Sequence, residues 1–67
     1  MQVTINGTAR TFDEPVTTVA DLVRALALEG KKIAVERNGA IVPRSRYAET
    51  RVDAADHLEI VGAVGGG

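Results

Sequence analysis

The chain has 67 residues, of which 45% are hydrophobic and 25% are charged, and its formal net charge is −1 at pH 7. A chain of this length forms one domain at most and buries only about 60% of the surface that its unfolded form exposes. There is no cysteine and only one histidine, His57, which argues against disulfides, a metal site, and Ser-His-Asp or Cys-His catalysis.

The N-terminal segment predicts a β-hairpin. Val3 and Ile5 alternate with polar residues and lead into Asn6-Gly7, the pair that best tolerates positive φ at both central positions of a two-residue turn. We expect strands over residues 2–6 and 8–12.

The next segment predicts an amphipathic helix over residues 18–29. Its apolar residues follow the i, i+3, i+4, i+7 spacing of a helix with one buried face; they are Val19, Leu22, Val23 and Leu26. Thr18 and Asp21 have the spacing of a capping box, and Gly30 suits the left-handed position after a last helical turn.

The segment after the helix predicts a second hairpin. Ile33 and Val35 alternate, Asn38-Gly39 again favours a tight turn, and the returning strand ends before Pro43, which lacks a backbone donor.

The C-terminal third predicts one more strand. Residues 44–50 form a loop or a single helical turn in which Tyr47 contacts the core, and residues 53–56 form a polar turn. In the strand that follows, Leu58 and Ile60 point to one face while Glu59 and Val61 point to the other.

This order of elements predicts an α+β fold. One helix cannot cover both faces of a sheet, so it must pack across one face of a mixed sheet. We expect a single domain over residues 1–62, followed by a flexible tail over residues 63–67, because glycine has more backbone freedom than any other residue.

Other sites and classes of function receive little support. The acidic pairs at 13–14 and 53/56 flank turns, where Asp is common for backbone reasons. "GAVGGG" lacks the Lys-Ser/Thr and the following helix of a phosphate loop. Nearly balanced charge and only two aromatic residues argue against nucleic-acid binding, so the arginines at 44, 46 and 51 are expected to be solvated. The chain has no apolar run of ~18 residues and no secretory signal pattern, so we expect no membrane association and a cytoplasmic location.

The glycine-rich end is the remaining candidate site. The five residues from Ala63 to Gly67 reach about 17 Å when extended, and glycines let the walls of a narrow channel approach the backbone closely. A terminal carboxylate is inert at neutral pH, but conversion to a mixed anhydride with ATP opens its carbonyl to a sulfur or nitrogen nucleophile.

Four stretches together resemble the sulfur carrier proteins of thiamine biosynthesis, the ThiS family. They are the N-terminal "V-x-I-N-G", the helix "TVADLV", the stretch "AVERNGAIVPRSRY", and "D-H-L-E-I-V" leading into "VGGG". The resemblance covers essentially the whole chain and implies a β-grasp, ubiquitin-like fold. Two positions depart from it: Ala55 precedes Asp56 where glycine is common, and Gly62 replaces a bulkier residue.

The resemblance also implies a cycle that other proteins catalyse. A ThiF-like adenylyltransferase would use ATP to adenylate the carboxylate of Gly67, and sulfur from a cysteine desulfurase persulfide would replace AMP. The resulting thiocarboxylate would donate sulfur to a ThiG-like thiazole synthase. Val64, Gly65 and Gly66 would thread the partners' active sites. The chain itself would be no enzyme and would bind no cofactor or metal.

Two further expectations remain open. Glu59 and Val61 are the candidates for a partner-docking face, because they point outward on the predicted last strand. The same fold and tail are also compatible with a molybdopterin-type carrier, a ubiquitin-like protein modifier or a plain interaction domain.

Overall fold

The structure, a computed structural model, describes residues 1–62. Its elements are β1 (Gln2–Ile5), β2 (Thr8–Thr11), α1 (Val19–Ala25), β3 (Ile33–Arg37), β4 (Ala40–Val42), a 3-10 helix (Arg44–Arg46) and β5 (His57–Gly62). The strands form one sheet in the order β2-β1-β5-β3-β4. Strands β1 and β5 are parallel, and every other neighbouring pair is antiparallel. The predicted α+β fold, with one main helix and a mixed sheet, is confirmed.

The core lies between α1 and one face of the sheet. The helix contributes Val19, Leu22 and Val23, which are all buried. The buried residues from the strands and connecting segments are Val3, Ile5, Phe12, Val16, Val35, Val42, Val52, Leu58 and Ile60. Tyr47 packs against this core from the turn after the 3-10 helix, as predicted.

Both Asn-Gly pairs form the predicted turns. The φ angles are 52° and 82° at Asn6 and Gly7, and 51° and 88° at Asn38 and Gly39. Positive φ at both central residues defines the type I′ geometry, whose twist matches that of the flanking strands. The strands of the first hairpin end one residue earlier than predicted, at Ile5 and Thr11.

The N-terminus of α1 carries the predicted capping box. The Asp21 backbone N–H donates to Thr18 Oγ1 over 3.2 Å, and the Thr18 backbone N–H donates to Asp21 Oδ2 over 3.1 Å. The Thr17 N–H donates to the same carboxylate oxygen over 3.0 Å. The backbone N–H groups of Thr17 and Thr18 hold the pKa of Asp21 below its usual value because they stabilise the charged form.

The prediction that the helix continues to residue 29 is wrong. The helix ends at Ala25, and Ala27 takes up the left-handed conformation with φ = 60°. The N–H of Ala27 donates to the carbonyl of Arg24 and that of Leu28 to the carbonyl of Val23, the pattern of a Schellman motif.

The early helix end directs Leu28 onto the core. At 3.6 residues per turn, a continued helix would place Leu28 well away from the buried stripe, whereas the Schellman turn packs it against the core. Gly30 also has positive φ, 77°, but it lies in the following turn rather than at the helix end.

The left-handed alanine generates a stability prediction. Ala27→Gly should raise the free energy of unfolding by about 1 kcal/mol, because the left-handed conformation is unfavourable for a residue with a Cβ atom. The matched variant Ala25→Gly, within the helix, should lower it by at least about 1 kcal/mol. Urea denaturation of both variants measures the difference, and a destabilised Ala27→Gly protein would contradict the assignment.

Candidate functional site

The strand that leads to the glycine-rich segment is the central strand of the sheet. Strand β5 pairs with β3 over five residue pairs, from Ile33 opposite Gly62 to Arg37 opposite Leu58. On its other side it pairs with β1 at only two positions, Thr4 with His57 and Ile5 with Leu58. Strand β5 is therefore paired on both edges at its beginning and with β3 alone at Gly62.

The side chain of Asn6 extends the short pairing between β1 and β5. Its Nδ2 donates to the carbonyl of Ile60 over 2.9 Å, and its Oδ1 accepts from the Ile60 N–H over 2.7 Å. The Asn6 backbone N–H also donates to the carbonyl of Leu58 over 2.8 Å. The Asn6 side chain thus makes the two hydrogen bonds to Ile60 that a longer β1 would otherwise make with its backbone. Ile60 lies two residues before Gly62.

Asn38 holds the beginning of β5 in a similar way. Its backbone N–H donates to the carbonyl of His57 over 2.8 Å, and its Oδ1 accepts from the His57 N–H over 2.9 Å. Its Nδ2 donates to Asp56 Oδ1 over 3.0 Å. The sequence pattern predicted the role of both asparagines in the turns, but not their side-chain hydrogen bonds to β5. The signal available in the sequence is that Asn, unlike Asp or Gly, supplies both a donor and an acceptor.

Asp56 is the buried acceptor at this end of β5. Its side chain is only 8% exposed and accepts from Arg37 Nε over 2.7 Å and from the Asp53 backbone N–H over 2.8 Å. Burial alone would raise the pKa of Asp56, but the Asp53 N–H, Asn38 and Arg37 together hold that pKa below its usual value. The turn before β5 is thus closed by the side chain of Asp56 itself.

Replacing either asparagine by glycine separates the turn role from the side-chain role. Asn6→Gly and Asn38→Gly keep a residue that tolerates positive φ, so only the side-chain hydrogen bonds to β5 are lost. Asn6→Gly should lose about 1 to 3 kcal/mol of unfolding free energy, because the partly buried N–H and C=O groups of Ile60 lose their partners. Asn38→Gly should lose about 0.5 to 1.5 kcal/mol, because the N–H of His57 that loses its partner is exposed. Urea denaturation tests this, with Gly7→Ala, which strains the turn instead, as a comparison. Unchanged stability in both asparagine variants would contradict the bridging role.

The buried aspartate predicts a loss of stability in acid. Because the pKa of Asp56 is lower in the folded than in the unfolded chain, its stabilisation is present above the unfolded pKa of about 3.9 and is lost as the pH falls through the folded value. Asp56→Asn should therefore flatten the pH dependence of unfolding below about pH 4. Asp13→Asn, at an exposed loop position, is the control for the loss of one carboxylate. Denaturation across pH 2 to 6 measures both variants, and an equal effect of the two would contradict the role of the buried side chain.

The sheet face opposite α1, which we call the open face, carries the predicted docking residues. Glu59 and Val61 are exposed on β5, whereas Leu58 and Ile60 between them are buried. The alternation predicted for this strand is therefore confirmed. Val61 is 57% exposed and lies opposite Ala34 of β3.

Two acidic residues lie directly opposite each other on the open face. Glu59 lies directly opposite Glu36 on β3, and Glu36 lies opposite Ile41 on β4, whose exposed fraction is 65%. The ion pairs within residues 1–62 do not include either glutamate. Like charges directly opposite each other destabilise a sheet, so the open face combines exposed apolar side chains with an unneutralised negative pair.

Within the described range, the structure holds no group of three His, Cys, Asp or Glu side chains placed to bind a metal ion. The seven-residue helix is far too short to cross a membrane. Arg44, Arg46 and Arg51 are exposed, as predicted, and His57 is exposed as well. Val64, Gly65, Gly66 and Gly67 lie outside the described residues, so the structure shows the start of the candidate segment and not its end.

Comparison with known proteins then decides the family. The family model described as "ThiS family" matches residues 3–67. This chain belongs to the ThiS family. A crystal structure of the thiamine biosynthesis protein ThiS from Geobacter metallireducens superposes with a TM-score of 0.83, 32% sequence identity and full coverage of both chains. The predicted β-grasp, ubiquitin-like fold is that of the ThiS family and is confirmed.

The curated relatives of this ThiS family member fall into two kinds. The sulfur carrier protein ThiS of Bacillus subtilis is 38% identical over 63 residues, which cover 94% of this chain and 96% of the relative. A protein named thiazole synthase from Paramagnetospirillum magneticum is 46% identical over 67 residues, and one from Magnetococcus marinus is 36% identical. The chain spans about a fifth of the length of each thiazole synthase.

Proposed function

We propose that this chain is a sulfur carrier protein that donates sulfur for thiazole formation in thiamine biosynthesis. The observation that carries the proposal is the match to the Bacillus subtilis sulfur carrier over almost the full length of both chains. The thiazole synthase relatives, in which a region resembles this whole chain, support a thiazole synthase as the sulfur acceptor.

The proposed chemistry takes place at the carboxylate of Gly67. A ThiF-like adenylyltransferase joins a carboxylate oxygen to the α-phosphorus of ATP, and pyrophosphate leaves. The terminal sulfur of a persulfide, supplied by a cysteine desulfurase, then attacks the activated carbonyl carbon, and AMP leaves. Cleavage of the sulfur–sulfur bond by a second thiol releases the Gly67 thiocarboxylate, which a ThiG-like thiazole synthase receives.

The chain's own part in this cycle is delivery. Gly65 and Gly66 have no Cβ atoms, so a narrow channel in a partner enzyme can close around them, and Val64 contacts the channel entrance. ATP is consumed by the adenylating partner, and no cofactor is bound by the carrier itself. We place the cycle in the cytoplasm, where ATP is available.

The open face is the proposed docking surface for these partners. Its centre at Glu59 and Val61 lies on the strand that leads directly into residues 63–67. The exposed Ile41 and the Glu36–Glu59 pair fit a partner surface that presents an apolar patch beside a basic group. Contacts made by the folded face contribute binding free energy. They offset the conformational entropy that the tail loses when it becomes ordered in a partner.

Intact mass spectrometry tests the chemistry directly. Incubation with ATP, a ThiF-like adenylyltransferase and a persulfide donor should replace one oxygen of the chain by sulfur, and fragmentation should locate it at Gly67. Adding one alanine after Gly67 should abolish the change while the unfolding free energy stays the same. Full activity of the extended chain would refute the proposal, and linkage of Gly67 to lysine side chains would indicate a protein modifier instead.

The docking surface is tested by a charge reversal that does not weaken the fold. Glu59→Lys should raise the unfolding free energy by about 0.2 to 1 kcal/mol, because it replaces repulsion from Glu36 by attraction. It should also reduce kcat/KM for adenylation at least about tenfold, because the negative pair is lost from the interface.

The matched control is Glu14→Lys, which makes the same charge change in an exposed loop outside the sheet. It should leave kcat/KM within about twofold of the unmodified chain, since it changes only the long-range field. Equal losses in both variants would show that net charge, rather than the open face, determines recognition.

A further inference from the structure

A groove with an apolar floor lies on the helix side of the sheet, at the end of α1. Its volume is about 370 Å³, within the usual range of ligand-binding clefts. Val23, Leu28, Ile33 and Tyr47 contribute to its lining, and the last three are only partly buried. The floor is therefore formed where the Schellman turn and the start of β3 meet the 3-10 helix.

The rim of the groove is positively charged. Arg24, Lys31 and Arg44 line it together with one acid, Glu29. Glu29 lies 3.6 Å from Arg24, and Arg44 Nη2 donates to the backbone carbonyl of Lys31 over 2.8 Å. That hydrogen bond holds the Arg44 guanidinium beside Lys31 and leaves two cations at one end of the groove without an acidic side chain paired to them within residues 1–62.

The groove begins where the described part of β5 ends. Gly62, the last described residue, lies opposite Ile33, which lines the groove. The five residues that follow Gly62 span about 17 Å when extended, against a molecule whose shortest dimensions are 20 to 22 Å.

We propose that this groove binds residues 63–67 of the chain itself, with the Gly67 carboxylate at Lys31 and Arg44. The reach of the segment, the position of Gly62 opposite Ile33 and the opposite charges of carboxylate and rim all favour this occupant. The inference rests on the proposed function in one respect: the carboxylate bound here is the one that is to be adenylated. The groove and the open face lie on opposite faces of the sheet. A partner docked on the open face therefore leaves the groove uncovered, and the partner and the groove compete for the same tail.

Binding in the groove withholds the tail from the partner. The apparent dissociation constant for an adenylating enzyme rises by the inverse of the fraction of chains whose tail is free. Exposed ion pairs are weak, so releasing the tail should improve the apparent affinity by about two- to fivefold. Raising the salt concentration should also release it, since salt screens exposed charges.

NMR spectroscopy of the intact chain tests the binding. The double variant Lys31→Gln/Arg44→Gln should shift the Gly67 amide signal and lower its ¹⁵N heteronuclear NOE. The control Arg10→Gln/Arg51→Gln removes the same charge from exposed positions outside the groove and should change neither. Equal changes in both variants, or none in the first, would overturn the proposal.

A chain with an amidated C-terminus, made by semisynthesis, tests the carboxylate itself. Amidation should shift the Leu28 and Tyr47 signals. The shift should have the same direction as the one that about 0.5 M NaCl causes in the unmodified chain, because salt screens the carboxylate contact. Unmoved signals would overturn the carboxylate contact. Sulfur loading is measured separately by intact mass with the unmodified chain, so normal loading without groove binding rejects only this inference.

Discussion

The structure depends on holding β5 at the centre of the sheet. A strand that leads into a reactive terminus is useful only if the domain fixes where that terminus starts. The β3 ladder reaches Gly62 on one side of β5, whereas β1 stops pairing at Leu58. Asn6 supplies the missing hydrogen bonds at Ile60, so β5 keeps its direction to its last residues without a longer β1. Asn38 and Asp56 do the same at the beginning of the strand.

The two faces of the sheet serve different purposes, and this division follows from the small size of the chain. One seven-residue helix and its connections cover one face, and no other element within residues 1–62 covers the second. The uncovered face keeps Val61 and Ile41 exposed and places Glu36 against Glu59, an arrangement that lowers stability. Local choices that oppose folding are expected at sites selected for recognition.

Local rules explain which elements were predictable. The Asn-Gly pairs and the capping box depend on residues within three positions of each other, so both were read correctly from the sequence. The helix end was not, because the apolar stripe and Gly30 both favour a longer helix. The helix end at Ala25 lets Leu28 pack against the core, and that contact exists only once the sheet is in place. The side-chain bonds of Asn6 and Asn38 were missed for the same reason, since they join residues 54 and 19 positions apart.

The sequence by itself determined the fold class, the outward position of Glu59 and Val61, and the family resemblance, because each follows from short-range periodicity or from motifs in fixed order. Tertiary structure decided three other features: where the helix stops, how β5 is held by two asparagine side chains and a buried aspartate, and which residues face Glu59 across the sheet. The physical reason is that cross-strand partners are set by register and strand order, and these depend on contacts between residues far apart in the chain.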